Sequence, residues 1–172
     1  MQSSVFAWEV LWEETARTRP LCVDLDGTLV STDTLWESVL SLFRRRPWLL
    51  LIAPLWLIGG RASFKRHVAM RTVLDPAALP YREDLLAALR RLKLSGRKLV
   101  LATAADREIA ESVAQHLGLF DEVFSSDGRA NLRASVKCER LARTYAASGF
   151  DYVGDSHADL SVFERATRGF LV

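Results

Sequence analysis

Three apolar runs in this chain end in residues that could do chemistry. The first, LCVDLDGTLV (21–30), closes on Asp24 and Asp26, followed by Gly27 and Thr28. Two carboxylates one residue apart repel each other when buried, so the pair implies Mg²⁺ or a proton between them. The second run, RKLVLATAAD (97–106), delivers Thr103. The third, FDYVGDSHAD (150–159), delivers Asp155 and, one helical turn on, Asp159, while Gly154 lets the backbone approach a ligand closely. Any one of these reads as a turn or a helix cap, since Asp and Thr are common caps. Together they read as one crevice, because ligands of an open parallel sheet bind beyond the carboxyl ends of its strands. His157 lies between the two later acids and reads as an exposed helix-start residue. His67 and His116 fall in helical stretches and read as structural or solvated.

The elements that must position these residues are legible from periodicity. Apolar runs at 21–24, 98–102, 122–125, 150–153 and 169–172 read as strands. Between them Leu85, Leu86, Leu89 and Leu92 recur at helical spacing and stop before Gly96; Ile109, Val113 and Leu117 stop before Gly118; Val136, Leu141 and Tyr145 stop before Gly149. Such alternation predicts an α/β fold: a Rossmann-like parallel sheet of about five strands with helices on both faces. Residues 35–79 break the alternation. They carry helical and turn patterns only, with helices expected at 35–43, 48–58 and 62–74. The expected organisation is therefore a core of 1–34 and 80–172 with a small all-helical cap, 35–79, inserted after strand one.

The chain has 172 residues, 49% hydrophobic and 26% charged, which excludes a disordered or collagenous polymer and suits one domain with a sizeable core. Cys22 and Cys138 match no metal or disulfide spacing, and Cys22 sits in a strand-like run, so a reducing compartment is expected. A net charge of +2 is too small to argue for nucleic acid. The first 14 residues carry acids where a signal peptide has a basic start, so export is not expected and a cytoplasmic location is. The distribution of charge says more than its total. No acid lies between Glu37 and Asp75, where Arg44, Arg45, Arg46, Arg61, Lys65, Arg66 and Arg71 give +7. All five Trp fall in the first 56 residues and read as core.

Asp24-Leu25-Asp26-Gly27-Thr28 resembles the first motif of haloacid dehalogenase-like (HAD) hydrolases. The run ending in Thr103 is similar to their second motif, and GDSHAD to their fourth. The order holds from 21 to 172. The third motif needs a base ahead of strand four, and Arg133 and Lys137 both qualify. In phosphoserine-phosphatase-like members a lysine opens a helix that closes about a dozen residues later in Gly; Lys137 and Gly149 match, so Lys137 is chosen and Arg133 kept as second candidate. PLCVDLDGTLV, RRRPWLLL, LVLATAADR, NLRASVK and GFDYVGDSHADL further resemble the HAD domain that precedes a UbiA-type prenyltransferase in some bacterial membrane proteins, departing from it at Arg133, where lysine is expected.

The resemblance implies a Mg²⁺-dependent phosphomonoesterase. Asp24 would attack phosphorus and form an aspartyl-phosphate; Asp26 would serve as general acid, then base. Mg²⁺ would be held by the Asp24 carboxylate, the Asp26 carbonyl and Asp155. Thr103, Ala104, Gly27 and Lys137 would bind the phosphoryl group, with Asp159 and Thr28 supporting them. Implied partners are a phosphorylated substrate, such as a polyprenyl phospho-sugar phosphate, and a prenyltransferase in the same chain or encoded nearby. Alternatives are a phosphatase of a small metabolite such as phosphoserine, and a regulatory domain without activity. A phosphoaspartate receiver domain fits less well, since Asp26-Gly27-Thr28 and the insertion do not belong to it.

Residues 47–60, PWLLLIAPLWLIGG, hold no charge over 14 residues. A helix of that length spans about 21 Å, short of a bilayer core of roughly 30 Å, and Pro54 interrupts it, so no transmembrane helix is expected. Being apolar all round, it must be covered. Two covers are open: neighbouring helices of the cap, or the cytoplasmic leaflet of a membrane met by 47–58, with Trp48 and Trp56 at the headgroups and the arginines against anionic lipid.

Overall fold

A computed structural model describes residues 18–45, 47–56, 58, 60–70, 74–126, 134–155 and 159–172. Five strands, β1 (Leu21–Val23), β2 (Leu99–Asp106), β3 (Glu122–Ser126), β4 (Asp151–Gly154) and β5 (Arg168–Leu171), form one sheet in the order β3-β2-β1-β4-β5. All four pairings are parallel, with Leu21 central between Leu99 and Asp151. Each parallel step needs a crossover, and helices supply it: α4 (Glu83–Leu94), α5 (Arg107–Leu117), α6 (Ala134–Thr144) and the short α7 (Leu160–Phe163). The expected fold class is the observed one, and strand limits differ from the expected ones by one or two residues except in β2, which runs on to Asp106.

Period-two alternation divides the core. Leu21, Val23, Leu99, Leu101 and Val153 face one side, where α4 and α5 bring Leu85, Leu89, Ile109 and Val113. Cys22, Val100, Ala102 and Tyr152 face the other, against Cys138, Leu141 and Tyr145 of α6 and Val162 of α7. The ends of α5 illustrate local control. Asp106 caps it by accepting from the Glu108 amide at 3.0 Å, and Gly118 ends it in the left-handed region at φ 63°.

At the amino ends of the strands, an ion cluster ties the chain's entry into β1 to β4. Arg97 Nη2 meets Asp151 Oδ2 at 2.5 Å and Arg19 Nε meets Asp151 Oδ1 at 3.2 Å, with Arg97 and Asp151 fully buried. Burial pulls the Arg97 guanidinium below its usual range, and Asp151 opposes this.

Between β1 and β2 lie three further helices, α1 (Thr34–Arg45), α2 (Leu49–Trp56) and α3 (Gly60–Ala69), then a 3₁₀ turn, Pro76–Ala78. The two strands of chain that enter and leave this insertion are laced together: Ser31 N donates to Pro80 O and Arg82 N to Leu29 O, both at 3.0 Å. The insertion has its own small core of Leu42, Trp56 and Val68. The Trp56 and His67 rings stack at 5.5 Å, and His116 stacks on Tyr81 at 6.3 Å, in keeping with structural histidines.

Three expectations for this region need correction. The helix expected at 62–74 runs instead from Gly60 to Ala69. The helix expected at 48–58 runs from Leu49 to Trp56, and Pro54 lies inside it without interrupting it. Neighbouring helices cover only one side of α2: Trp56 is buried, while Trp48, Leu51, Ile52, Leu55 and Ile58 are exposed, as is Trp36 of α1. The reason is size, since two flanking helices can bury one face of a third but cannot surround it. Trp8 and Trp12 lie outside the described residues. No helix among the described residues is long and apolar enough to cross a membrane.

Candidate active site

The site assembles where β1, β2 and β4 end. Asp24 follows β1 and Asp155 follows β4, so neighbouring parallel strands deliver both carboxylates to one edge. Asp159 comes from the turn before α7. Carboxylate oxygens of Asp24, Asp155 and Asp159 lie within 4.8 Å of one another. Like charges at such spacing demand a counter-charge, and Lys137, in the first turns of α6, supplies one. Its Nζ donates to Asp24 Oδ1 at 3.1 Å and pairs with Asp159 Oδ1 at 2.7 Å.

Electrostatics follow from burial. Desolvation pushes the Asp24 carboxyl from its ordinary 3.8 up to about 7; Lys137 pulls it down, and Asp159 and Asp26 push it further up. Burial alone would depress Lys137, but Asp24 and Asp159 overcome it and hold the ammonium above its usual value. One buried cation thus answers three acids, which leaves the cluster net negative and lined with hard oxygen donors. That donor set fits a divalent cation of the Mg²⁺ type.

Gly27 is required by the cluster itself. It sits at φ 75°, and any Cβ there would collide with the Asp155 carboxylate. Its carbonyl accepts from Arg82 Nη2 at 3.0 Å, which braces the loop from the return side of the insertion. Asp26 points elsewhere than the three clustered acids: its Oδ1 accepts from the Thr34 amide at 2.8 Å, the N-terminus of α1. The second acid is thereby tied to the first helix of the insertion, where the helix dipole favours a carboxylate. Thr28 is fully buried, and its hydroxyl has no partner among the described residues. Thr103 Oγ1 accepts from the Ala105 amide at 2.9 Å, which occupies a lone pair and leaves the hydroxyl proton to donate. Ser126 Oγ, at the end of β3, donates to the Ala104 carbonyl at 3.0 Å and steadies the same segment.

The geometry brings together Asp24, Asp155, Asp159 and Lys137, with Gly27 against Asp155. Arg133 and His157 lie outside the described residues. Three contributors were missed by sequence reasoning: Arg82, Ser126 and Tyr152. Tyr152 is the most telling. It is wholly buried in β4, and its hydroxyl accepts from Lys137 Nζ at 2.5 Å. Burial, with Asp24 and Asp159 beside it, pushes its phenol far up, so it stays protonated and hydrogen-bonds Asp159 as well. One signal was available: a Tyr rather than Phe in a buried strand needs a partner for its hydroxyl.

A carboxylate held beside a buried cation, with further acids for a metal and a separate acid held by the Thr34 amide, can receive and hydrolyse a phosphoryl group. A family model described as haloacid dehalogenase-like hydrolase matches residues 21–164. An uncharacterized protein of Sinorhizobium fredii (strain NBRC 101917 / NGR234), y4nM, is 41% identical over 157 residues. That match takes in 91% of this chain and 30% of the relative, so the chain spans less than a third of its length. A protein of unknown function from Bordetella pertussis Tohama I has a similar structure, with TM-score 0.62, 17% identity and 89% of each chain covered. A substrate-bound phosphoserine phosphatase superposes with TM-score 0.59 at 18% identity, over 88% of this chain and 84% of that one. A predicted phosphoglycolate phosphatase of Haemophilus somnus 129pt does so at 0.58 and 16%, over 87% and 82%. At these identities the likeness is one of fold.

Proposed function

The chain belongs to the haloacid dehalogenase-like hydrolase family, and on that premise we propose that it is a Mg²⁺-dependent phosphomonoesterase working through an aspartyl-phosphate on Asp24. One observation carries this reading: Asp24 is buried with Lys137 at 3.1 Å, in a cluster with Asp155 and Asp159. An Asp24 oxygen attacks phosphorus while the ester P–O bond breaks, which splits one difficult step into two. Asp26 gives its proton to the leaving oxygen. It then takes a proton from the water that attacks the phosphorus, releasing phosphate and restoring the Asp24 carboxylate. Its hydrogen bond from Thr34 sets the orientation for both transfers. The free Thr103 proton and the amides near Gly27 and Ala104 meet the phosphoryl oxygens, and Lys137 neutralises their charge. Mg²⁺ would be held by the Asp24 carboxylate, the Asp26 carbonyl and Asp155; when bound, it adds positive charge against the same oxygens.

For the substrate, the resemblance to prenyltransferase-associated domains supports a polyprenyl phospho-sugar phosphate, met at the cytoplasmic face of a membrane, with a prenyltransferase as partner. The purified protein is expected to release inorganic phosphate from an aryl phosphate with Mg²⁺, to stop with chelator and to recover when Mg²⁺ returns. No release over a panel holding aryl phosphates, phosphoserine and polyprenyl phospho-sugar phosphates would overturn the reading. Preference for phosphoserine over the lipid-linked substrate would overturn the substrate assignment alone.

Tyr152 and Asp159 act on this chemistry through Lys137. Tyr152→Phe removes one hydroxyl and keeps the ring, so turnover is expected to fall about tenfold, the worth of one hydrogen bond to a charged group. Steady-state kinetics beside a melting curve check it. An unchanged kcat would mean that Asp24 and Asp159 alone fix the lysine.

A further inference from the structure

We propose that the exposed face of α2 docks onto the surface of an anionic lipid bilayer; this stands apart from the catalytic reading. Leu51 is 84% exposed and Leu55 62%, with Trp48 at 61% in the turn before the helix and Ile58 at 83% after it. At 100° per residue, Trp48, Leu51, Ile52 and Leu55 fall within an arc of about 100°. They therefore form one apolar face rather than scattered surface residues. Its orientation is set, because Trp56, only 8% exposed, packs with Leu42 and Val68 about 90° round the helix from the centre of that face. Turning this face inward would pull Trp56 out of that core.

Charge selects the occupant. The segment between Glu37 and Asp75 carries seven basic residues and no acid. Arg66 lies 3.9 Å from Glu108 of α5, outside the segment, while Arg44 is exposed at the end of α1. A second copy docking through this face would bring two such basic segments together and be repelled. An anionic surface reverses that sign. Eight residues of helix reach about 12 Å against a hydrocarbon core of roughly 30 Å, so α2 lies in the interface and does not cross it. A tryptophan flanking an apolar face beside arginines is the composition that such an interface favours.

The test is flotation of the whole protein with vesicles of phosphatidylcholine, with and without phosphatidylglycerol. Binding is expected only with the anionic lipid, weakening as salt rises. Leu51→Glu with Leu55→Glu should weaken it on the order of a hundredfold, two buried leucines' worth. Both positions are exposed, so the variant's melting temperature should match wild type. If that variant melts lower, Leu51→Ser with Leu55→Ser replaces it, with the same loss expected. Arg44→Glu should weaken binding while leaving the apolar face intact. No flotation with anionic vesicles at low salt would overturn the proposal. So would binding unchanged in a folded Leu51, Leu55 variant, or a dimer without vesicle binding that the variant dissolves. Phosphatase activity is not read, so failure here leaves the catalytic reading where it was.

Discussion

Asp24→Asn is expected to abolish turnover, by on the order of 10⁴-fold or more, because in the mechanism proposed above nucleophile, acid and cation act as one unit. The amide is nearly isosteric but has no charge to attack phosphorus or to pair with Lys137, 3.1 Å away. The same variant carries a second, opposite effect on stability. In wild type, burial lifts the Asp24 carboxyl from 3.8 to about 7 in the metal-free protein. Between those values the folded state holds a proton that the unfolded chain has released, so stability falls as pH rises across the window. Asn has nothing to titrate, and Lys137 keeps Asp159 and Tyr152 as partners. In chelator, melting curves from pH 4 to 7 should therefore show a downward slope in wild type that is smaller in the variant. Residual activity within tenfold of wild type would remove Asp24 as nucleophile. An identical pH slope in both proteins would place the titrating group elsewhere.

Arg97→Ala is expected to cost about 3–5 kcal/mol, the usual penalty for leaving a buried charge without its partner. Asp151 is fully buried and would keep only Arg19, at 3.2 Å, of its two cations. Since a domain is stable by about 5–15 kcal/mol in all, this loss could take most of the margin. Urea unfolding followed by circular dichroism measures it. A double change, Arg97→Met with Asp151→Leu, should recover much of the loss, because an apolar pair of similar volume removes the desolvation cost of both charges. A loss under about 1 kcal/mol for Arg97→Ala would mean that Arg19 alone satisfies Asp151. The cluster lies at the edge of the sheet opposite Asp24, so any loss of activity should track unfolding.

The residues differ in how far their roles could be read from the chain. Asp24, Asp26 and Asp155 announced themselves because each closely follows an apolar run that ends in a strand, Thr103 because it lies within such a run, and Asp159 because it comes one helical turn after Asp155; such spacing is a local property. The α/β class was legible for the same reason: alternation at periods of two and 3.6 is written in neighbours along the chain. Leu21 and Val23 facing one core, with Cys22 facing the other, is that pattern made solid.

Contacts between residues far apart in sequence were not legible. Lys137 reaches Asp24 across 113 positions; the family resemblance singled it out by its spacing to Gly149, but its own residues alone would not distinguish it from a solvated helix lysine. Tyr152 reads as core until its hydroxyl is seen on Lys137. Arg97 precedes an apolar strand as a surface charge would, and only Asp151 from β4 makes it interior. The uncharged stretch 47–60 shows the limit most clearly. Sequence established that it is apolar and too short to span a bilayer. Which side is covered depended on how many helices of the insertion could reach it, and the fold supplies enough to bury Trp56 but not Leu51 or Leu55. Periodicity sets the face that a residue takes on its own element; only the packing of separate elements decides what that face meets.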